Sequence, residues 1–127
     1  MALIANKDAR FHFEMNSDDG EYVVVLDTPL LFSIGNSCCI IERGYRSNGM
    51  SVPRCLWSII SPQYSPVTLF PSICHDWLYD NHVVSRATAD KWYHQALIEN
   101  GYPKWKSKLV YDAVRIFGKS HWRQLRQ

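Results

Sequence analysis

Near the start of the chain apolar and polar residues alternate: Phe11, Phe13 and Met15 interleave with His12 and Glu14. A period of two places alternate side chains on one face, which predicts a strand. Asp18-Asp19-Gly20 is a turn signal, and the β-branched run Tyr22–Leu26 follows it. Leu30–Ile34, the Gly35-Asn36 turn and Cys38–Glu42 predict a second hairpin. Gly44–Pro53 then reads as a Gly/Ser/Asn/Pro loop, and residues 58–66 hold two prolines and little periodicity. Past residue 65 the period becomes helical. Pro71 suits a first helical position and predicts a helix over Ser72–Asp80, with Ile73, Trp77 and Leu78 on helical spacing. Ser85 is an N-cap for a helix running through Asn100. Its apolar stripe is Ala89, Trp92, Tyr93, Ala96 and Leu97, and Gly101 ends it. Pro103 opens a third helix, with Leu109, Val110, Ala113, Val114 and Phe117 inside and Gly118 as its stop. The expectation is an α+β fold: a β-meander followed by three helices.

Length and composition narrow this further. At 127 residues the chain is one domain, strand-rich over 1–65 and helical over 66–127. Apolar residues at 46% and charged residues at 20% exclude disorder. Fourteen Lys and Arg against twelve Asp and Glu give a net charge of +2, without the basic stripe of a nucleic-acid binder. No run is long and apolar enough for a membrane span. Met1–Phe13 lacks the charged-then-apolar order of a secretory signal, which predicts a protein that acts or is made in a cytoplasm. Cys38, Cys39, Cys55 and Cys74 form no CxxC or zinc ladder, and read as free thiols.

The stretch that carries chemistry is His75-Asp76-Trp77-Leu78-Tyr79. On a helix His75 and Tyr79 are neighbours at i and i+4, and Asp76 and Tyr79 at i and i+3. One helix thus offers an imidazole and a carboxylate to adjacent parts of a cleft, which suits a histidine base beside a carboxylate-held metal. A short connection makes the next helix antiparallel, so Asp90 faces back toward His75 and can fix its tautomer. On spacing alone such a pair is more often structural than a site. The loop Ser47-Asn48-Gly49-Met50-Ser51, rich in side-chain and backbone oxygens, is the kind of place a hard cation binds, or a plain turn.

In chain order, Ser47–Ser51, His75–Tyr79, Ser85-Arg86 with Ala89-Asp90, and Tyr111–Gly118 resemble a phage- and prophage-encoded family of unknown function. That family has a TDGxSxP loop, an HDxLY helix, an SRxxAD helix start and an AVRxFG ending. The resemblance spans roughly residues 40 to 122. The same motifs are similar, more distantly, to small bacterial and fungal phospholipase A2 enzymes. That second resemblance implies a phospholipase A2-like helical core with His75 as general base, Asp90 orienting it and Tyr79 bracing the carboxylates. It also implies calcium, held by Asp76 with Asn48, Gly49 and nearby backbone carbonyls, gripping the lipid phosphate and stabilising the oxyanion. Asn48 stands where that pattern has Asp and so implies a weakened calcium site. Met50 stands where the secreted enzymes have a disulfide cysteine.

Two function classes follow. One is a hydrolase of phospholipid esters. The other is a non-catalytic virion protein of a tail or baseplate, built on the same scaffold and joined to other phage structural proteins through its termini. For a phage-encoded chain the cytoplasm is the host's, and the chain is then open to incorporation in a virion. Remaining features carry less. His82, Asp90 and His94 with His75 form a minor alternative metal set without HExxH spacing. His12 and His121 read as isolated, and Arg86 as a surface partner of Asp90 at i+4. Trp92 belongs to a core stripe, while Trp57 and Trp122 read as core packing or as surface anchors.

Overall fold

The computed structural model describes residues 3–6, 8–15, 22–47 and 66–122. Among the described residues five strands precede three helices: β1 Phe11–Met15, β2 Tyr22–Leu26, β3 Leu30–Ile34, β4 Ser37–Ile41, β5 Arg46–Ser47, α1 Pro66–Asn81, α2 Arg86–Glu99 and α3 Lys104–Phe117. A short 3-10 helix, Gly118–His121, continues α3. The fold is α+β, as the pattern predicts. The strands divide between two antiparallel sheets, ordered β1-β2-β5 and β3-β4. The Asp18–Gly20 turn and the 48–65 stretch lie outside the described residues, as do Trp57 and Cys55.

β2 is the middle strand of its sheet, and Val23, Val24, Val25 and Leu26 are all buried. β1 is an edge strand, paired with β2 from Phe11↔Leu26 to Met15↔Tyr22. Its alternation does not produce a buried face: Phe13 and Met15 are exposed, and Phe11 reaches inward, edge-on to Phe70 at 5.9 Å. His12 is not isolated. Its Nδ1 lies 2.6 Å from Asp27 and its Nε2 2.6 Å from Glu14, and the hydrogen bonds to Glu14 and Asp27 raise its pKa. In β3-β4 the pair Ile34↔Ser37 closes over a two-residue loop. Gly35 at φ 59° occupies its first position, as a type II′ turn requires. Cys38 and Cys39 face opposite ways, one exposed and one buried, and both are free, as is the buried Cys74.

The helices seat on these sheets through aromatics. Trp92 donates its indole N–H to Ser33 O at 2.7 Å, and its ring lies 5.1 Å from Phe32. Ser85 caps α2 by accepting from Thr88 N. Gly101 at φ 95° ends it: its N–H reaches Ile98 O and Tyr102 N–H reaches Leu97 O, the paired bonds of a Schellman motif. Among the described residues no helix is long and apolar enough to cross a membrane.

α1 departs from expectation. It starts at Pro66, so Pro71 lies inside it rather than at its first position. A helical proline lacks the N–H that would bond the carbonyl four residues back, here Val67. Asn100, at the end of α2, donates Nδ2 to that carbonyl at 3.3 Å. A side chain from another helix thus stands in for the missing donor. Asn100→Ala is expected to lower stability by about 1 kcal/mol, the usual net worth of such a bond. Asn100→Asp, which turns the donor into an acceptor, should cost more; urea midpoints read both.

Candidate functional site

α1 and α2 are joined by four residues, 82–85, so they run antiparallel. His82 ends α1 in the left-handed region at φ 53°, its N–H bonded to Leu78 O. This sharp reversal aims the first turn of α2 at the middle of α1. His75, Tyr79 and Asp90 consequently meet. His75 Nε2 lies 2.7 Å from Asp90 Oδ1, and Tyr79 donates its hydroxyl to the same oxygen at 2.5 Å. The imidazole is held flat against Tyr93, with centroids 4.3 Å apart and planes 18° apart. The Tyr93 hydroxyl shares a hydrogen bond with Ser72 at 2.8 Å.

Asp90 is 0% exposed and His75 1%. A buried carboxylate needs compensation. Asp90 obtains it from the third helix: Arg115 on α3 donates Nη1 to Oδ2 at 2.7 Å. Burial alone would push the Asp90 carboxyl up, but hydrogen bonds from His75, Tyr79 and Arg115 outweigh it and hold the pKa below the ordinary value. Burial and the bond to Asp90 drive the Tyr79 phenol upward, so it stays a donor. An anionic Asp90 accepts from His75 through Nε2 and leaves Nδ1 on the far side of the ring. Among the described residues, Nδ1 makes no hydrogen bond.

Arg86 pairs with Asp90 at i+4 as its spacing suggests, but against a fully buried carboxylate rather than at the surface. Its Nη1 stands 3.6 Å from Asp90 Oδ2, while Nη1 and Nη2 donate to Val114 O and Arg115 O at 3.0 and 3.2 Å. It thereby satisfies carbonyls in the last turn of α3. Gly118 has a second role besides ending that helix. Its φ is −73°, which any residue adopts. A Cβ there would meet the Tyr79 hydroxyl at 2.6 Å and Arg86 Nη1 at 3.1 Å. The bare glycine gives Tyr79 room to reach Asp90.

Asp76 sits on a different side of α1. Its Oδ2 accepts from the Ser47 hydroxyl at 2.5 Å, and one turn on Asp80 accepts from Tyr45 at 2.7 Å. The end of β5 is thereby tied to α1, which delivers the chain to Asp76 just before Asn48 and Gly49; those two lie outside the described residues. Asp76 and Ser47 offer three side-chain oxygens, short of the six to eight that calcium takes. Among the described residues, no group of three or more His, Cys, Asp or Glu converges on a metal position. The alternative metal set is dispersed: His82 stacks on Trp122 at 3.8 Å, and His94 lies against Tyr111 at 5.2 Å. Trp122 also meets Tyr79 edge-on at 5.2 Å, so it closes the site from the C-terminal side.

Sequence reasoning placed His75, Tyr79 and Asp90 together and missed Arg115 and Gly118 as members of the same network. Both lie in the AVRxFG-like ending, the one signal that could have found them.

Two curated relatives share part of the chain. Uncharacterized protein y4jT of Sinorhizobium fredii (strain NBRC 101917 / NGR234) is 30% identical over 78 residues, covering 61% of this chain and 23% of that protein. Uncharacterized protein y4iH of the same strain is 26% identical over 73 residues, covering 58% of this chain and 30% of that protein. The chain thus spans less than a third of either relative. No solved structure matches. Residues 24–114, a stretch that includes His75, Tyr79 and Asp90, match one family throughout, and the chain belongs to that family, described as Protein of unknown function (DUF1353).

Proposed function

We propose that this chain is a phospholipase A2-like hydrolase, phage-encoded as its resemblance implies, that cleaves phospholipid esters with His75 as general base. The observation that carries this reading is the Asp90-anchored imidazole, oriented through Nε2 and left with an unengaged Nδ1. In the proposed reaction Nδ1 takes a proton from water as the oxygen attacks the ester carbonyl. The tetrahedral intermediate collapses, the C–O bond to the lysolipid breaks, and the imidazolium returns the proton to the departing oxygen. Asp90 stabilises the transient imidazolium, and Tyr79 and Arg115 hold Asp90 in place. Calcium would be held by Asp76 with Asn48 and Gly49 and would neutralise the lipid phosphate; no step above depends on it, because Asp76 and Ser47 alone do not complete its shell.

The test is fatty-acid release from phospholipid vesicles in millimolar calcium and in chelator. Release by the parent, reduced at least about a hundredfold in His75→Gln with the fold retained by circular dichroism, supports the reading. A folded parent that releases nothing in calcium overturns it.

The near-complete burial of His75 favours a second reading, in which the same network is a polar clamp across three helices of a phage structural protein. That reading expects stoichiometric recovery of the chain in purified particles and no hydrolysis.

A further inference from the structure

α3 is buried along one side only. Ser107, Val110, Ala113 and Val114 face the core. On the other side Trp105 is 59% exposed, Leu109 37% and Ile116 69%. At 100° per residue these three fall within an arc of about 40°, and the stripe runs about 16 Å along the helix. Exposed apolar residues occurring singly are ordinary, but a stripe with a tryptophan on one helix face is not.

Charge surrounds this stripe. Four of the five described lysines, Lys104, Lys106, Lys108 and Lys119, lie on α3 or the turn that follows it. Between Lys104 and Trp122 there are five Lys and Arg against a single carboxylate, Asp112, which is paired with Lys108 at 2.6 Å. Lys106 Nζ stands 5.6 Å from the centroid of the Trp105 ring.

We infer that the outer face of α3 is an anionic-lipid-binding surface, with Trp105, Leu109 and Ile116 entering the acyl boundary and the lysines meeting the headgroups. A second copy of the chain would bring like charges together across the same stripe. A convex helix face with aromatic and aliphatic residues between lysines matches a helix lying in a bilayer interface. That this face presents the protein to its substrate rests on the hydrolase reading; vesicle binding is measurable without turnover.

The experiment is co-sedimentation with vesicles of phosphatidylglycerol and phosphatidylcholine, against pure phosphatidylcholine, in chelator and low salt. Binding at least tenfold stronger to the anionic vesicles is expected. Trp105→Ser with Ile116→Ser, and separately Lys104→Glu with Lys106→Glu, should each weaken it at least tenfold while leaving the circular dichroism spectrum unchanged. Equal binding to both vesicles, or retained binding in the Trp105/Ile116 variant, overturns the inference. So does a parent that dimerises through this face, becomes monomeric in that variant and ignores vesicles. Hydrolysis of a dispersed short-chain phospholipid separates the two readings. Vesicle binding without hydrolysis removes the enzyme and keeps the surface, and hydrolysis without vesicle binding does the reverse.

Discussion

Asp90→Ala is expected to destabilise the protein by about 3–5 kcal/mol, the cost of breaking a buried charge network by removing one partner. Small domains are stable by only about 5–15 kcal/mol, so this one change removes a large share. The carboxylate is 0% exposed and receives His75, Tyr79 and Arg115 from α1 and α3, while itself belonging to α2. Its removal leaves three donors aimed at an apolar gap. Asp90→Asn keeps the shape but loses the charge and should cost less, about 1–3 kcal/mol. Urea unfolding at neutral pH measures both. The sign of the pH dependence provides an independent check. The folded Asp90 carboxyl lies below its ordinary value of 3.8. Its contribution is therefore fully present above that value and is lost as pH falls through the lower folded value. The stability gap between parent and Asp90→Ala should be constant above about pH 5 and narrow progressively below about pH 4. A gap that persists unchanged into strong acid would mean that packing, not charge, holds the three helices together.

The same network shows which parts of the structure were legible in the sequence. Elements whose causes are local were readable: the Ser85 cap, the Gly101 stop, the Gly35-Asn36 turn and the antiparallel α1–α2 pair. The meeting of His75, Tyr79 and Asp90 was readable too, because helical spacing and a four-residue connection nearly determine it. Features that depend on distant partners were not. Pro71 carries the local signature of a helix start, yet it sits inside α1, where Asn100, 29 residues away, bonds the carbonyl that its missing N–H leaves. Arg115 looks like any exposed basic residue until α3 is docked against α2. β1 has a clean alternation, yet Phe13 and Met15 stay exposed, because no described element packs over that end of the outer strand. Asp76, next to His75 but about 100° round the helix, meets Ser47 at the start of the loop with which the resemblance grouped it.

Gly118→Ala tests whether the α3 terminus shapes the site. A Cβ at 118 would lie 2.6 Å from the Tyr79 hydroxyl and 3.4 Å from its ring. Tyr79 cannot swing aside freely: it is 4% exposed, its hydroxyl is bonded to Asp90, and its ring packs against His75 at 4.4 Å and Trp122 at 5.2 Å. The substitution is expected to cost about 1–3 kcal/mol through overpacking and to pull the hydroxyl off Asp90. Tyr79→Phe alone removes one hydrogen bond to a charged acceptor, at about 1.5–3 kcal/mol. Combined, the two changes should fall well short of their sum, because the phenylalanine leaves no oxygen for the new methyl to strike. A coupling of about 1 kcal/mol or more in this double-mutant cycle, read from urea midpoints, is the expected result. Additive costs would instead mean that α3 yields at Gly118 without disturbing Tyr79, and that the glycine only terminates its helix.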